Sequence, residues 1–355
     1  MKSYNHLWEK FISDENYYRA IHNATRNKHG NKKKYAAYMR SHADELKQGF
    51  IDYACNFKNA QHEPMQIYDG VRRKKRQIYV PTMREQVIHH MISNVLQPIF
   101  MRSMYVHSYG SIPGRGAHKA KKKIASWIKK DKDGFKYILK LDVKKYFDSI
   151  PHGILKYKFA KLIHDEKFLN LINEIIDVTD KGIPIGFYTS QWIANWYLTD
   201  LDHYIKEELN AKYYVRYMDD MVIAGNDKNE LRRIKKGIEI FLNKNLGLEL
   251  KHNWQIFPLE SRDLDFMGFR FSTNKITLRK SILAKARRKA HRINKRGVTI
   301  YSARQMLSYL GWINSTDVYN YYNKYIKPNV SFVQLRHYIS RYDKKNRKGQ
   351  NYAMA

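Results

Sequence analysis

The stretch YYVRYMDDMVIAG, residues 213–225, decides the fold that this sequence predicts. Two apolar runs flank the adjacent acids Asp219 and Asp220. A polar segment that begins at Gly225 follows the second run. This pattern is typical of a β-hairpin with two carboxylates at its turn. Paired carboxylates between hydrophobic strands are costly unless a cation holds them, although Asp-Asp is also an ordinary turn sequence. The hairpin therefore predicts either a cation site or an ordinary turn.

A second acid favours the cation site. The strand-like run Lys136–Leu141 is followed directly by Asp142. If the two strand units are neighbours in one antiparallel sheet, Asp142 meets Asp219 and Asp220. Three hard oxygen donors suit Mg²⁺, which takes its remaining ligands from water and substrate phosphates. Two such ions about 4 Å apart would activate a 3′-hydroxyl and stabilise a leaving pyrophosphate.

The composition indicates what such a centre would act on. The chain has 355 residues with 66 Lys or Arg against 33 Asp or Glu, a formal net charge of +33. This charge points to a polyanionic partner, and the 43% hydrophobic content excludes a disordered basic tail. The single cysteine, Cys55, excludes an intramolecular disulfide and a Cys-rich zinc cluster. With no signal-peptide core and no membrane-spanning run, we expect a cytoplasmic protein without a membrane partner.

Basic residues recur in clusters along the whole chain, interleaved with 28 tyrosines and 6 tryptophans. One cluster alone would be an ordinary solvated surface. Several clusters together with aromatic rings predict a long channel for nucleic acid, because cations neutralise phosphates and rings stack on bases. The clusters are Lys32–Lys34, Arg72–Arg76, Lys119–Lys123, Lys285–Arg296 and Lys344–Lys348.

The coarse secondary structure is mixed. Residues 1–65 are predicted to be helical with a break at 27–34, and residues 66–81 to form a short hairpin. A helix is expected over 83–100, and strands alternate with helices over 135–275. The chain from about 279 is predicted to be helical, with breaks at Gly297, Gly311 and Pro328.

Several segments together resemble reverse transcriptases. LKLDVKKYFDSI (139–150) and YVRYMDDMVIAG (214–225) resemble motifs A and C of that family. RQIYVP (76–81) with Arg84 resembles its fingers segment, and SYGSIPGRGAH (108–118) resembles its SYGFRPGRGAH segment. LDFMGF (264–269) resembles the primer-grip turn. The resemblance implies an α+β right-hand polymerase: an N-terminal helical extension (1–65), fingers (66–135), a palm on an antiparallel sheet (136–275) and a basic α-helical thumb with its tail (279–355).

The resemblance also implies roles for individual residues. Two Mg²⁺ ions, or Mn²⁺ as a substitute, would be bound by Asp142, Asp219, Asp220 and the backbone carbonyl of Val143. Lys251 would protonate the pyrophosphate. The incoming nucleotide would contact Arg76, Arg84, Phe147, Ile185, Gly186 and Gln191, and nucleic acid would contact Arg115, Met267, Gly268, Lys285, Arg288 and Arg292.

Two of these nucleotide contacts have alternatives. Phe147 matches the aromatic steric gate that excludes a 2′-hydroxyl, but a ring there is also a good core residue. The family often carries an arginine where this chain has Gln86, which leaves the triphosphate contacts open. The adjacent His89 and His90 do not share a helix face, so they are interpreted as packing or phosphate contacts.

Motif B indicates the subclass. Retron and group II intron enzymes usually read QGxxxSP, whereas this chain reads IGFYTSQ at 185–191, which is similar to reverse transcriptases of diversity-generating retroelements. Ile185 replaces an amide side chain with one that cannot hydrogen-bond a nucleotide, and lost polar contacts weaken discrimination. Gly186 would allow the backbone to approach the nucleotide closely. The resemblance implies misincorporation opposite template adenines, and the alternative is a different loop packing with unchanged fidelity.

The resemblance implies the partners as well. They are dNTPs, a structured retroelement RNA, its cDNA or RNA–DNA duplex, and a small basic oligomeric accessory protein. One alternative is a retron-like or antiphage-defence enzyme that copies another noncoding RNA. A second is a non-catalytic RNA-binding protein that kept a polymerase fold. No residue identifies the template, the primer or the docking surface of an accessory protein.

Overall fold

The computed structural model describes residues 3–28, 30–57, 63–69 and 74–351. Arg72 and Arg73 of one predicted basic cluster lie outside these residues, and so do the side chains of Arg347 and Lys348 in another. The chain divides into two compact units. The first unit comprises residues 1–120 and 137–256, and the second comprises 121–136 and 257–355. The four-segment division into extension, fingers, palm and thumb stays a prediction.

A four-stranded sheet of order β4-β5-β3-β6 carries the predicted acids. Its strands are β3 (Tyr137–Asp142), β4 (Tyr213–Tyr217), β5 (Asp220–Gly225) and β6 (Gln255–Pro258). β4 and β5 form the predicted hairpin, and β3 pairs with β5 in antiparallel register. The neighbouring strand units are thus the ones that the sequence predicts. Earlier in the chain, β1 (Met65–Asp69) and β2 (Lys74–Ile78) form the short separate hairpin.

Helices surround this sheet in the first unit. They are α1 (Leu7–Ile12), α2 (Asp14–Thr25), α3 (Asn31–Ser41), α4 (Ala43–Cys55), α5 (Met83–Ser103), the start of α6 (Ala117–Lys130), α7 (Tyr146–Ser149), α8 (His152–Leu162), α9 (Glu166–Ile176), α10 (Tyr188–Tyr197), α11 (Thr199–His203) with a following π-turn (Tyr204–Glu208), and α12 (Lys228–Leu246). The predicted break at 27–34 corresponds to the gap between α2 and α3.

The long helix α5 is central to the core of the first unit. It begins at a capping box in which Thr82 and Glu85 satisfy each other's backbone amides. Its apolar side packs on α2 and α10, where the rings of Phe100 and Trp196 stack with centroids 4.8 Å apart. A buried amide, Asn16, joins α2 to α5 by donating to the carbonyl of Met91. This core supports α10, which in turn lies beneath the hairpin turn.

The second unit contains a small sheet and a helical bundle. The sheet is formed by β7 (Leu264–Phe266), β8 (Phe269–Phe271) and β9 (Ile276–Leu278), and the helices are α13 (Lys280–Arg296), α14 (Ile300–Ile313), α15 (Tyr319–Tyr325) and α16 (Phe332–Asn351). The predicted break at Gly311 is wrong, because α14 continues through it to Ile313. Gly311 is exposed and its helix is anchored by buried Met306 and Leu310, which offset the roughly 1 kcal/mol helix cost of glycine.

Helices and antiparallel sheets together confirm the predicted α+β class. Within the described residues, no helix combines the length and the apolar character that crossing a bilayer requires.

Candidate functional site

The three predicted carboxylates come together at one end of the sheet. Asp142, the last residue of β3, lies directly opposite Asp220, the first residue of β5. Asp219 occupies the turn between β4 and β5, and burial, together with the nearby charge of Asp142, raises its pKa. We call Asp142, Asp219 and Asp220 the acidic cluster. Residues directly opposite each other in an antiparallel pair point to the same face of the sheet, so Asp142 and Asp220 lie on one face.

Two lysines neutralise part of this negative charge. The ammonium group of Lys251 forms an ion pair with Asp142. That of Lys140, which lies on the same face of β3 as Asp142, is 3.4 Å from a carboxylate oxygen of Asp220. Both pairs are about one-third exposed. The acidic cluster thus has counter-cations of its own, and a metal ion that binds there would compete with these ammonium groups.

The remaining oxygens of the acidic cluster are incompletely satisfied. Oδ1 of Asp142 and Oδ1 of Asp220 are buried without a hydrogen-bond partner among the described residues. Burial raises the pKa of Asp219 to about 7, and the charge of Asp142 adds to this effect. Burial also raises the pKa of Asp220 to about 6, although Lys140 opposes the shift. Buried carboxylate oxygens without donors fit divalent cations, because hard oxygen ligands are the ones that Mg²⁺ prefers.

No group of three His, Cys, Asp or Glu side chains in the described ranges is already gathered at metal-ligand spacing. Lys140 pairs with Asp220 and Lys251 pairs with Asp142. The donor set fits the metal, and its side chains would need to turn away from the lysines to bind one.

Backbone pairing holds Lys251 beside the acidic cluster. The segment around Leu250 forms an antiparallel bridge with Val143, in which the amide of Lys251 donates to the carbonyl of Asp142 at 2.8 Å. The amide of Lys144 donates to Glu249, also at 2.8 Å. These two bonds are made on either side of Val143, so the carbonyl of Val143 is not used by this bridge. The predicted roles of Val143 and Lys251 remain predictions with a compatible placement.

A fully buried ion pair lies just behind the turn. Arg216 of β4 forms two hydrogen bonds with Asp202 of α11, at 2.7 and 2.5 Å, and both side chains are 0% exposed. We call Arg216 and Asp202 the buried pair. The guanidinium also donates to the carbonyl of Met218 at 3.0 Å and to both oxygens of Asn195. Tyr214 donates to the same Asp202 at 2.6 Å. The buried pair thus connects α10 and α11 to the hairpin turn.

The turn itself is strained and tightly packed. Met218 has a φ of 56°, in the left-handed region that non-glycine residues rarely adopt. A Cβ added to Gly110 would lie 2.6 Å from the backbone nitrogen of Met218. Asn195 donates to the carbonyl of Gly110 at 2.7 Å and contacts the sulfur of Met218 at 3.1 Å. The Ser108–Gly110 segment therefore supports the turn from one side while Arg216 holds it from the other.

Arg115, predicted to contact nucleic acid, has a clear intramolecular role. It is half-buried, and its guanidinium donates to the carbonyls of Tyr105 and Ser108 at 2.7 and 3.1 Å. These bonds shape the loop that carries Gly110. Its contact with nucleic acid stays a prediction.

The motif B loop is attached to the end of the β1–β2 hairpin. The amide of Tyr79 donates to the carbonyl of Ile185 at 2.7 Å. Gly186 has a φ of 117°, and a Cβ there would lie 2.2 Å from the carbonyl oxygen of Tyr79. Glycine is required at 186 because a protein backbone approaches it, which the sequence did not indicate. On the next turn Gln191 accepts a hydrogen bond from Ser111 at 3.1 Å.

The predicted triphosphate contacts lie on and after β2. Arg76 is exposed on β2, opposite Ile67. Arg84 donates to the carbonyl of Gly49, and its guanidinium lies 4.3 Å from the ring centroid of Tyr53 on α4. The N-terminal helices therefore position Arg84, and its nucleotide contact stays a prediction.

A lysine approaches the position where the family often has an arginine. Lys28 donates to the side chain of Gln86 at 2.6 Å. One turn further along α5, the ring of His90 packs against Tyr188 at 4.3 Å, and its neighbour His89 contacts Phe187 and Thr189. The two histidines are packing residues, as one of the two interpretations of the sequence held.

Phe147 lies on α7, shortly after the acidic cluster's first residue. Its ring is half-buried and contacts Tyr146 with centroids 5.7 Å apart. Its carbonyl accepts a hydrogen bond from Ile183 at 2.8 Å, which joins α7 to the segment before motif B. Both the steric-gate and the core interpretation are compatible with a half-buried ring.

The remaining predicted residues lie in the second unit. Met267 and Gly268 form the turn between β7 and β8, both with positive φ, and Arg279 donates to the carbonyl of Gly268. Lys285, Arg288 and Arg292 are exposed on α13. A cavity of about 770 Å³ beside α13 is lined by cations that include Arg288 and Arg292, and by Tyr321 and Tyr325.

Sequence reasoning missed Asp202, Arg216 and Asn195. Arg216 carries a signal, since a charged residue inside an apolar strand must find a buried partner. Asp202 carries none, because only the packing of α11 brings it to Arg216.

Comparisons with known proteins identify the family of the chain. The family model described as Reverse transcriptase (RNA-dependent DNA polymerase) matches residues 61–271. The chain is 28% identical over 213 residues to the retron Ec73 reverse transcriptase of Escherichia coli, covering 56% of this chain and 64% of that protein. It is 21% identical over 348 residues to the group II intron-encoded protein LtrA of Lactococcus lactis, covering 75% and 56%. The chain therefore spans less than two thirds of the length of these relatives.

Among solved structures, apo telomerase from Candida tropicalis aligns with a TM-score of 0.50 and 14% identity. The alignment covers 84% of this chain and 66% of that one. At this identity the likeness concerns the fold alone, and it agrees with the predicted polymerase fold.

Proposed function

Because the chain belongs to the reverse transcriptase (RNA-dependent DNA polymerase) family, we propose that it copies RNA into DNA at the acidic cluster. One observation carries the proposal: the register of β3 and β5 places Asp142 opposite Asp220, with Asp219 in the adjoining turn. If Asp219 and Asp220 only formed a turn, the fold would not need a third carboxylate beside them. It would also not need buried oxygens of Asp142 and Asp220 without hydrogen-bond partners.

Each residue of the site would have a separate role in the reaction. Asp142, Asp219, Asp220 and the carbonyl of Val143 would hold two divalent ions, Mg²⁺ or Mn²⁺. When bound, these ions activate the 3′-hydroxyl and stabilise charge on the leaving pyrophosphate. Lys251 is held beside Asp142 by a backbone hydrogen bond and an ion pair, and it would donate a proton to the leaving pyrophosphate.

Other residues position the substrates. Arg76 and Arg84 would bind the triphosphate, because guanidinium groups pair with phosphate oxygens in a fork. Phe147 would exclude the 2′-hydroxyl, and Ile185, Gly186 and Gln191 would contact the nascent pair. The exposed cations of α13 would bind the RNA–DNA duplex, as would Arg115 and the Met267-Gly268 turn.

The test is dNTP incorporation on a primed RNA template by the wild type and by Asp142→Asn. The wild type should extend the primer with Mg²⁺, and the variant should not, while RNA binding in EDTA stays equal. Asp180→Asn, an exposed acid away from the sheet, is the control. If Asp142→Asn retained all measurable function, the non-catalytic alternative, an RNA-binding protein on a polymerase fold, would be correct.

We further propose that the chain belongs to the diversity-generating subclass and copies a structured retroelement RNA with errors at adenines. Support comes from Ile185 in motif B, whose side chain offers a nucleotide no hydrogen bond. Sequenced cDNA from a template of mixed bases should show errors concentrated opposite adenine, and Ile185→Gln should reduce them. A flat error spectrum would count against the subclass.

The likeness to a retron reverse transcriptase supports a second candidate, a retron-like or defence enzyme that copies another noncoding RNA. Genes beside this one separate the two: a template and variable repeat pair supports the first, and a toxin or effector gene supports the second. For the first candidate we propose a cytoplasmic enzyme of a bacterial or phage-infected cell that works with a small basic oligomeric accessory protein. Co-purification of that protein with the polymerase would test the partnership.

A further inference from the structure

An unexplained surface lies on α3, far along the chain from the acidic cluster. The rings of Tyr35 and Tyr38 stack with centroids 6.3 Å apart and planes at 24°, and Tyr38 stacks on His42 at 4.3 Å and 29°. We call these three rings the aromatic ladder. The two tyrosines are 48% and 46% exposed, so apolar ring surface faces solvent.

The ladder does not serve the core. α3 is anchored to the rest of the first unit by Ala36 and Met39, which are almost completely buried. Tyr35, Tyr38 and His42 recur at intervals of three and four residues along another stripe of the same helix. Exposed aromatic rings lined up along one stripe present flat faces at intervals that a chain of stacked bases can use.

The segment that carries the ladder is basic, and the first acids after it are Asp44 and Glu45 in the first turn of α4. Between residues 16 and 43 the sequence has no Asp or Glu. It has seven cations: Arg19, Arg26, Lys28, Lys32, Lys33, Lys34 and Arg40. Lys32, Lys33 and Lys34 are exposed in the first turn of α3, where the helix dipole disfavours positive charge. These lysines do not stabilise their own helix. Binding to a polyanionic ligand would explain why three positive charges occur at this position.

We infer that the aromatic ladder and Lys32–Lys34 bind a single-stranded segment of RNA, with bases on the rings and phosphates on the lysines. The identity of that RNA as template rests on the proposed function, whereas the surface itself does not. A duplex fits poorly because its bases already stack on each other and present no free faces, so the proposal concerns an unpaired segment.

The test measures the affinity of the full chain for a fluorescein-labelled ten-residue oligouridylate by anisotropy, in EDTA so that no polymerisation occurs. Replacing both tyrosines, Tyr35→Leu with Tyr38→Leu, removes the flat rings while keeping a good helix former. We expect affinity to fall by about tenfold or more, since each base–ring stack is worth on the order of 1–3 kcal/mol. Tyr35→Phe with Tyr38→Phe should stay within about twofold, because the ring faces remain.

The control variant is Tyr157→Leu. Tyr157 is 60% exposed and has a lysine, Lys161, 4.4 Å from its ring, but it does not belong to the ladder. It should bind oligouridylate like the wild type. Circular dichroism of every variant checks that α3 remains folded.

The lysines have a separate readout. For single strands the logarithm of affinity falls with the logarithm of salt with a slope of about −0.7 per neutralised phosphate. Replacing Lys32, Lys33 and Lys34 with Gln should therefore flatten the slope by up to about 2. An unchanged slope together with unchanged affinity of the leucine variant would overturn the inference.

Two further arms separate this inference from its rivals. If the leucine variant lost binding to vesicles containing phosphatidylglycerol but not to oligouridylate, the surface would bind membranes and the inference would be wrong. If it lost oligouridylate binding while the wild type incorporated no dNTP on any primed RNA, the surface would stand and the proposed polymerase activity would fail.

Discussion

The acidic cluster and the buried pair lie on opposite sides of one hairpin turn, and both bring a carboxylate together with a cation. In the buried pair every interaction is completed: Asp202 accepts from Arg216 and Tyr214, and Arg216 uses its other donors on Asn195 and Met218. In the acidic cluster, oxygens of Asp142 and Asp220 are buried without a described donor.

This difference separates fold from function. The buried pair has all its hydrogen-bond donors and acceptors satisfied within the protein, so it cannot bind a ligand. Its role is to fix the position of the turn. The acidic cluster lowers the stability of the fold, because buried ionised carboxylates repel one another. Removing a member of each should therefore have opposite effects on stability and activity.

The largest effect is expected from Asp219→Asn. Incorporation on a primed RNA should fall by on the order of 10³-fold or more, since a metal ligand is lost where several kcal/mol of charge stabilisation are supplied. The thermal midpoint should not fall, because the amide is neutral in a place where burial disfavours the carboxylate. A large loss of stability would show that the acidic cluster is a structural element like the buried pair.

Arg216→Met should show the opposite signature. Leaving Asp202 buried and unpaired should lower the free energy of unfolding by about 3–5 kcal/mol, measured by urea denaturation. Adding Asp202→Asn to it should recover a large part of this loss, because no uncompensated charge then remains. Arg232→Met, an exposed arginine on α12, should cost little. If Arg216→Met kept full stability, the buried pair would not be the support that its geometry indicates.

The pH dependence of stability gives a third, smaller contrast. Without metal, Asp219 has a folded-state pKa of about 7, above its ordinary value of 3.8. Its contribution to stability is therefore present at low pH and is lost as pH rises from about 4 to 7. In EDTA, the midpoint of Asp219→Asn relative to the wild type should rise by a few degrees over this window. Parallel curves would contradict the raised pKa, and Asp180→Asn serves as the control.

The smallest effect concerns the counter-cation of Asp220. Lys140→Met frees the carboxylate from an ion pair at 3.4 Å, so Mg²⁺ should bind the nucleotide-free protein about two- to fivefold more tightly. Protection against thermal unfolding as Mg²⁺ is titrated measures this without activity. Lys144→Met removes a comparable but exposed pair with Glu249 and should leave the Mg²⁺ affinity unchanged.

Much of the acidic cluster could be predicted from the sequence. Alternation of apolar residues identifies β3, β4 and β5, and the acids at their ends are brought together if these strands pair. The position of Lys140 could have been predicted in the same way, since it lies two residues before Asp142 and shares its face of the strand.

The buried pair could not be predicted, because Asp202 reaches Arg216 only through the packing of α11 against the sheet. The role of Gly186 was missed for a similar reason: the backbone that approaches it belongs to Tyr79, more than a hundred residues earlier. Local patterns predict elements and their ends, whereas contacts between distant elements depend on tertiary packing. Gly311 shows the converse, a local helix breaker overridden by the buried side chains around it.

The contact between Gly110 and Met218 limits which residues relatives of this chain can carry at the position of Gly110. The atoms nearest an added Cβ at 110 include the side chain of Met218 and also its backbone nitrogen, at 2.6 Å. Shortening Met218 would relieve only the side-chain overlap, and the main chain would still exclude any substituent at 110. Relatives that keep this turn geometry should therefore hold glycine at 110 whichever side chain stands at the position of Met218. The glycine, which takes no part in chemistry, would then be a better marker of the turn than the methionine inside the motif.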